Sequence, residues 1–311
     1  MAGPLLAPRR TFDCLWCGRS WTIRNADDLE GWAKLCPDCL GKAGDNAFLR
    51  FRLRDALAAR AAASRGAAAS HRVEEPAPSP TAVGTNAEAA AEMVAYYEAR
   101  AGEYDDWYLR RGRYARGAIH DTAWNAELDA AGRWLDELPI KGEIVELAAG
   151  TGWWSPLLAS KGELWLYDAA EAPLERARDR LLAHNLRAHI HLRDAWAEPD
   201  RQVDAVVLGF WLSHVERDRT AAFLDLARRW LKPGGILAII DSLADPQSGA
   251  EDHLPAVGDR ATRRLDDGRE FTIVKVHRDA SEMRAALQAA GFGEVSAQPT
   301  GRFFVLATGN A

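Results

Sequence analysis

Four cysteines and three carboxylates at the ends of apolar runs carry most of the chemistry this sequence allows. Cys14-Leu-Trp-Cys17 and Cys36-Pro-Asp-Cys39 are two CxxC pairs separated by 18 residues. Each pair sets two thiolates on one turn, and two such knuckles supply the tetrahedral set that Zn²⁺ prefers. With cysteine at all four positions no open place remains for water, so the expected zinc is structural. A redox dithiol would need one CxxC opening a helix in its own βαβ fold, which these residues do not supply. So short a module has too little core of its own, and binding the metal is also its folding energy. Trp16, Trp21 and Trp32 are expected to pack around the knuckles.

The carboxylates form a second set. In Glu143-Ile-Val-Glu-Leu-Ala-Ala-Gly-Thr-Gly-Trp-Trp-Ser155 an apolar run meets Glu146, and a small-residue loop with Ala148, Gly150 and Gly152 follows. Glycines let a backbone approach a ligand closely and adopt conformations that other residues avoid. Asp168 ends the next apolar run, 22 residues after Glu146, where a carboxylate can accept from both hydroxyls of a ribose. The loop lacks GxGxxG and leaves little room for a pyrophosphate, which separates it from dinucleotide folds. Asp194-Ala195 ends a third run, where a carboxylate can accept from an adenine amino group.

These loops need elements to hold them. Strands are expected at 143–147, 164–167, 190–192, 203–208 and 236–240, with helices between most of them, which argues for a parallel α/β sheet. Two further β segments, 294–297 and 302–307, read as an antiparallel hairpin at the sheet edge. The total is a doubly wound, mostly parallel, seven-stranded sheet. Leu231-Lys-Pro-Gly-Gly235 reads as a tight turn before the fifth strand. Ahead of the sheet, Thr85-x-x-Glu88 is a capping box opening a helix to about residue 101. A second helix is expected over 123–138, where Trp124, Leu128 and Leu135 recur at helical spacing. His120 and Asp121 read as the loop between them. The resulting domain map is a cysteine module at 1–46, an alanine- and arginine-rich helix at 47–66 and a proline-rich linker at 67–84. An N-terminal lid at 85–122 and a catalytic domain at 123–311 follow, the latter with an insertion at about 242–278. Asp267-Gly268 in that insertion reads as a hairpin turn.

ELAAGTG, LYD, RDAW, VDAVVLGFWLSHV and LKPGG stand in the order and spacing of class I S-adenosylmethionine-dependent methyltransferases, and residues 88–308 resemble that family. It is similar above all to the bacterial small-molecule enzymes that include the ubiquinone and menaquinone methyltransferases. The resemblance implies that the first-loop acid and glycines hold the methionine end and sulfonium, the second acid the ribose and the third the adenine. Those roles fall on Glu146, Gly150 and Gly152, then Asp168, then Asp194. Ala148, Trp153, Ala169, Ala195 and Gly209 flank them and join the candidate cofactor set. This sequence has Glu where Asp is also frequent, and Ala149 where many relatives have Cys or Gly. S-adenosylhomocysteine is the implied product.

After the fourth strand comes Gly209-Phe-Trp-Leu-Ser-His214, where the family carries substrate-facing residues. Phe210 and Trp211 offer aromatic faces to a sulfonium, and His214 is the candidate general base. The stretch from Tyr96 through Tyr97 and Tyr104 to Trp107 resembles the family's lid, with Tyr97 and Tyr104 toward the cofactor. Trp107, His120, Trp211, Arg264, Lys275 and His277 are the substrate candidates. Arg263, Arg264, Lys275 and His277 suit an acidic group on the substrate.

The net charge of −6 is unevenly spread. Through position 72 there are 12 basic and 7 acidic residues, +5; beyond it there are 27 and 38, −11. An acidic catalytic body is a poor partner for polyphosphate, so a small-molecule acceptor is expected. The alternative is an rRNA or tRNA methyltransferase anchored by the basic segment Arg50, Arg52, Arg54, Arg60 and Arg65. One rRNA guanine methyltransferase family has a similar layout, but with a Cys/His zinc site. A further alternative is a non-catalytic protein that binds S-adenosylmethionine and regulates. No run approaches the roughly eighteen apolar residues of a membrane span, and the apolar start precedes its arginines, the reverse of a secretory signal. A cytoplasmic protein is expected, with a homodimer among the assemblies its zinc module allows.

Overall fold

A computed structural model of the chain describes residues 11–13, 19–22, 86–253 and 257–311. The chain divides into two compact units, Met1–Thr81 and Ala82–Ala311. In the first, strand β1 (Thr11–Asp13) pairs antiparallel with β2 (Ser20–Thr22), setting Phe12 opposite Trp21. Cys14, Cys17, Cys36 and Cys39 lie outside the described residues, as do the expected helix at 47–66, the linker and Thr85.

The second unit is built on a seven-stranded sheet. Its strands are β3 (Gly142–Leu147), β4 (Gly162–Asp168), β5 (His189–Leu192), β6 (Val203–Gly209), β7 (Leu231–Ser242), β10 (Gly293–Pro299) and β11 (Phe304–Asn310). They lie in the order β10-β11-β7-β6-β3-β4-β5. All neighbours are parallel except β11, which runs antiparallel to both β7 and β10. The C-terminal segments thus form the expected hairpin, with β10 as the edge. Because chain order reverses between β3 and β6, the crevice at their carboxyl ends is the ligand-binding place of such a sheet.

The inner strands β3, β4, β6 and β7 read as apolar runs because both their faces are covered. Val145, Leu147, Val206, Leu208, Leu237 and Ile239 belong to one buried cluster, with Phe223 and Leu224 of helix α6 (Thr220–Arg229) and Met283 and Leu287 of helix α7 (Ala280–Ala289). Alternate residues Ile144, Leu166, Val207 and Ile240 are equally buried and face the other way. On that side Trp124 of helix α3 (Ala118–Glu137) packs against Phe304 with ring centroids 4.7 Å apart. Trp124, Leu128, Ala131 and Leu135 form one fully buried stripe of α3. That helix begins one turn before the apolar pattern does, at Gly117 with φ 90°. His120 and Asp121 are therefore helical, not loop. Short helix α4 (Ser155–Lys161) follows β3, and α5 (Glu171–Ala183) follows β4.

Lys232–Gly235 loops out of the sheet. Val203 pairs with Leu231 and Ala205 with Ile236, so five steps along β7 match two along β6, with Gly234 at φ 78°. The C-terminus closes this loop, as Gly234 N donates to the Ala311 carbonyl and Ala311 N to that of Gly235.

Over the carboxyl ends lie helices α1 (Asn86–Arg100) and α2 (Tyr104–Leu109). The insertion after β7 forms the antiparallel hairpin β8 (Arg260–Arg264) and β9 (Glu270–Val274). Its turn places Gly268 at φ 88°, where Asp-Gly was read as a hairpin turn.

Candidate active site

The crevice is shaped by backbone that glycine is usually needed for. Ala148 (φ 52°), Gly150 (φ 55°) and Phe210 (φ 61°) follow β3 and β6 side by side. A non-glycine residue held there costs on the order of 1 kcal/mol or more, so the fold must over-determine it. Ala149 N donates to the Tyr167 carbonyl (3.0 Å) and Phe210 N to that of Ile240 (2.7 Å), which fixes both turns to neighbouring strands. The two flanking glycines serve packing. A side chain on Gly209 would meet Trp154 Cδ1 at 2.7 Å, and one on Gly152 would meet Ala177 Cβ of α5 at 2.7 Å.

A first cavity of about 280 Å³ opens at these turns. Ala148, Gly150, Asp168, Ala169, Asp194, Ala195, Gly209, Phe210, Tyr97 and Tyr104 all line it, as does Trp211. Asp168 accepts from Gly150 N (2.8 Å) and Ala170 N (2.9 Å). Burial raises its carboxyl to about 6 against the pull of those bonds. Asp194 accepts from Trp196 N (2.8 Å). Met93, Trp196, Glu216 and Arg219 also line the cavity, with the Arg219 guanidinium 4.0 Å over the Trp196 ring. Sequence reasoning missed these four.

A second cavity, of about 460 Å³, adjoins the first, and Tyr97, Tyr104, Phe210 and His214 line both. At this shared wall His214 Nδ1 lies 2.7 Å from the Val274 carbonyl, which can only accept, so Nδ1 carries the proton. Nε2 is then an acceptor and takes the Tyr97 hydroxyl at 2.7 Å. Burial first, and then the charge of Lys275, hold His214 well below the usual histidine range, so its ring is neutral.

Of the substrate candidates, Trp107, Lys275 and His277 line the second cavity. The other three are placed elsewhere, and Trp211 among them lines the first cavity alone. His120 is buried in α3 against Phe303, with Nδ1 3.1 Å from Asp121 Oδ1. Arg264 is exposed on β8, and its neighbour Arg263 faces the cavity instead. Strand alternation carries that signal: Ala261, Arg263 and Leu265 share one side, and Ala261 and Leu265 are buried. Arg100 was also missed. It stands one helical turn beyond Tyr96 and Tyr97, so the face that turns those tyrosines inward brings it along.

Glu146, Gly152 and Trp153 do not line either cavity. Glu146 lies behind the loop, where it accepts from Ser155 Oγ (2.5 Å), and burial raises its carboxyl to about 8. Trp153 stacks on Tyr108 of α2 with ring centroids 4.1 Å apart.

The Methyltransferase domain family matches residues 144–235, the stretch from β3 to the loop in β7. The ubiquinone/menaquinone biosynthesis C-methyltransferase UbiE of Paraburkholderia phymatum is 30% identical over 167 residues, 49% of this chain and 68% of that one. The Azotobacter vinelandii UbiE is 29% identical over 172 residues, 49% of this chain and 66% of that one. The match thus spans about two thirds of the length of these relatives. DhpI, solved as a DhpI-SAM-HEP complex, is 30% identical and superposes with a TM-score of 0.58 over 73% of this chain and all of its own. The chain belongs to the class I S-adenosylmethionine-dependent methyltransferases.

The first cavity fits the cofactor of that family. Two acceptor carboxylates stand at or just past the ends of the adjacent strands β4 and β5, small residues line the loop after β3 beside them, and the aromatic faces of Tyr97, Tyr104 and Phe210 close the far side. A nucleoside offers hydroxyl and amino donors to the carboxylates, and a sulfonium is attracted to aromatic faces. Among the described residues no helix is long and apolar enough to cross a membrane, and no group of side chains could hold a metal ion.

Proposed function

We propose that this methyltransferase acts on a small molecule held in the second cavity, with S-adenosylmethionine in the first. The observation that carries this reading is the wall of Tyr97, Tyr104, Phe210 and His214 shared by the two cavities, where donor and acceptor would meet. The names of the UbiE relatives, biosynthetic C-methyltransferases, support a small acceptor. So does DhpI, solved as a DhpI-SAM-HEP complex. Bound S-adenosylmethionine supplies a methyl carbon made electrophilic by its sulfonium. Asp168 accepts the ribose hydroxyls, Asp194 the adenine edge, and Ala148 and Gly150 let backbone approach the methionine end. The lid excludes water and aligns the acceptor, which is much of what in-line methyl transfer needs. His214 is neutral, but its acceptor nitrogen is engaged by Tyr97. A proton taken from the acceptor therefore passes through the Tyr97 hydroxyl, or waits for that hydroxyl to turn away.

The test is transfer of labelled methyl from S-adenosylmethionine into a lysate split by size, with and without RNase. Label in the small-molecule fraction is expected. Label in the large fraction that RNase removes would overturn the reading. The four cysteines supply, by spacing alone, a structural zinc site in the first unit. One zinc per chain by elemental analysis is expected.

A further inference from the structure

We propose that the second cavity holds the methyl acceptor through a compact oxyanion, phosphoryl or carboxylate, clamped by Arg100, Arg263 and Lys275. The proposal rests on the second cavity being the acceptor's site.

Three cations from three elements converge there: Arg100 ends α1, Arg263 lies on β8 and Lys275 follows β9. All three are withdrawn from solvent, yet none forms an ion pair with a carboxylate among the described residues. Arg100 Nη2 donates to the Tyr114 hydroxyl (3.3 Å), and its Nε is buried without a partner. Arg263 Nη1 donates to the Thr262 carbonyl (3.0 Å). Lys275 Nζ donates to Ser213 Oγ (2.8 Å).

Nearby carboxylates are committed elsewhere. Asp241, beside Lys275, accepts from Ser213 N and Ser242 N, each at 2.7 Å. Asp245, on the cavity wall, pairs with Arg302 at 2.5 Å. Glu103, beside Arg100, accepts from Asp266 N at 3.0 Å. The local field is accordingly positive. Burial above all, with the neighbouring cations adding to it and Asp241 opposing it at Lys275 and His277, pushes Lys275 down to about 8, His277 to about 4 and His253 to about 3. Burying unpaired charge is costly, and a fold retains such a cluster when a ligand neutralises it. Two guanidiniums, an ammonium and the Tyr114 hydroxyl are donors suited to several oxygens of one anion.

The experiment is calorimetric titration of the full chain, saturated with S-adenosylhomocysteine, with inorganic phosphate in one arm and malonate in the other. Sodium chloride at matched ionic strength and glycerol are controls. At least one anion is expected to bind one per chain and to raise the thermal midpoint, which the controls do not. The tighter of the two assigns phosphoryl or carboxylate. Arg263→Gln and Lys275→Met should each weaken that binding by about tenfold or more, leaving S-adenosylhomocysteine affinity within about twofold. Absence of binding by both anions, or unchanged binding in both variants, overturns the clamp while leaving methyl transfer standing. Failure of S-adenosylhomocysteine to bind would instead overturn the cofactor site, and the anion titration on the chain alone would still decide the clamp. The midpoint shift of the unaltered chain gives a readout that does not depend on the variants folding.

Discussion

Burial raises the Asp168 carboxyl to about 6, which makes cofactor binding sensitive to acid. Above that value the group is ionised and can accept ribose hydroxyls. Below it the proton must be displaced first, so S-adenosylhomocysteine affinity should fall by about tenfold from pH 7 to pH 5. Asp168→Asn should bind weakly at both values and lose the dependence; a calorimetric titration across pH checks this, and a flat wild-type profile would remove Asp168 from the ribose. Glu146 answers to the same physics with a different readout. Its carboxyl is raised from 4.5 to about 8, chiefly by burial. Between those values the unfolded chain has released a proton that the folded chain keeps. Stability should therefore decline as pH rises through that window, by at most about 1.4 kcal/mol per pH unit for this one group. Glu146→Gln removes the decline while keeping an acceptor for Ser155. Its thermal midpoint should match wild type near pH 5 and exceed it at pH 8.

Helices α1 and α2 are held by polar ties to the elements around them. Asp105 of α2 accepts from Thr151 Oγ1 (2.7 Å) in the loop after β3 and pairs with Arg180 of α5. Glu98 of α1 accepts from Ala172 N at the start of α5, and Glu92 from Thr272 N of β9 (2.6 Å). Trp107 Nε1 and Arg110 Nη1 both donate to the Ser248 carbonyl of the insertion. Asp105→Ala should loosen this cover: S-adenosylhomocysteine affinity drops several-fold, and amide exchange rises across α1 and α2 but not in β6. Unchanged exchange in α1 and α2 would mean that other ties suffice. Sequence made β3, β4, β6 and β7 legible because strands covered on both faces read as apolar runs, and Asp168, which ends β4, marks where one of those runs stops. The second cavity was less legible, because its residues meet only through tertiary packing. Arg100, Arg263 and Lys275 stand on α1, β8 and the segment after β9, and nothing local joins them. Arg263 and Arg264 both suit an acidic group by type, because a pair of arginines does not say which faces in; strand alternation does. His120 was read as loop because α3 begins a turn ahead of its apolar stripe.

At the scale of the whole molecule, the residues beyond position 72 carry a net −11, yet one cavity among them is lined by cations. The net charge disfavours polyanions, while the cavity's cations suit a small one that fits within the walls. The first 72 residues, at +5, fall within a compact unit of their own, Met1–Thr81. If its four cysteines hold zinc, that metal stabilises the first unit alone, since metal binding is linked only to the folding of the residues that ligate it. A strong chelator should then remove one zinc per chain and abolish any unfolding transition that depends on the metal. The transition of the second unit, and its affinity for S-adenosylhomocysteine, should stay where they were. Calorimetry before and after chelation, with titration of the cofactor product into both forms, checks this. A drop in that affinity on chelation would mean that the first unit supports the cofactor site, and the two units would have to be treated as one cooperative body.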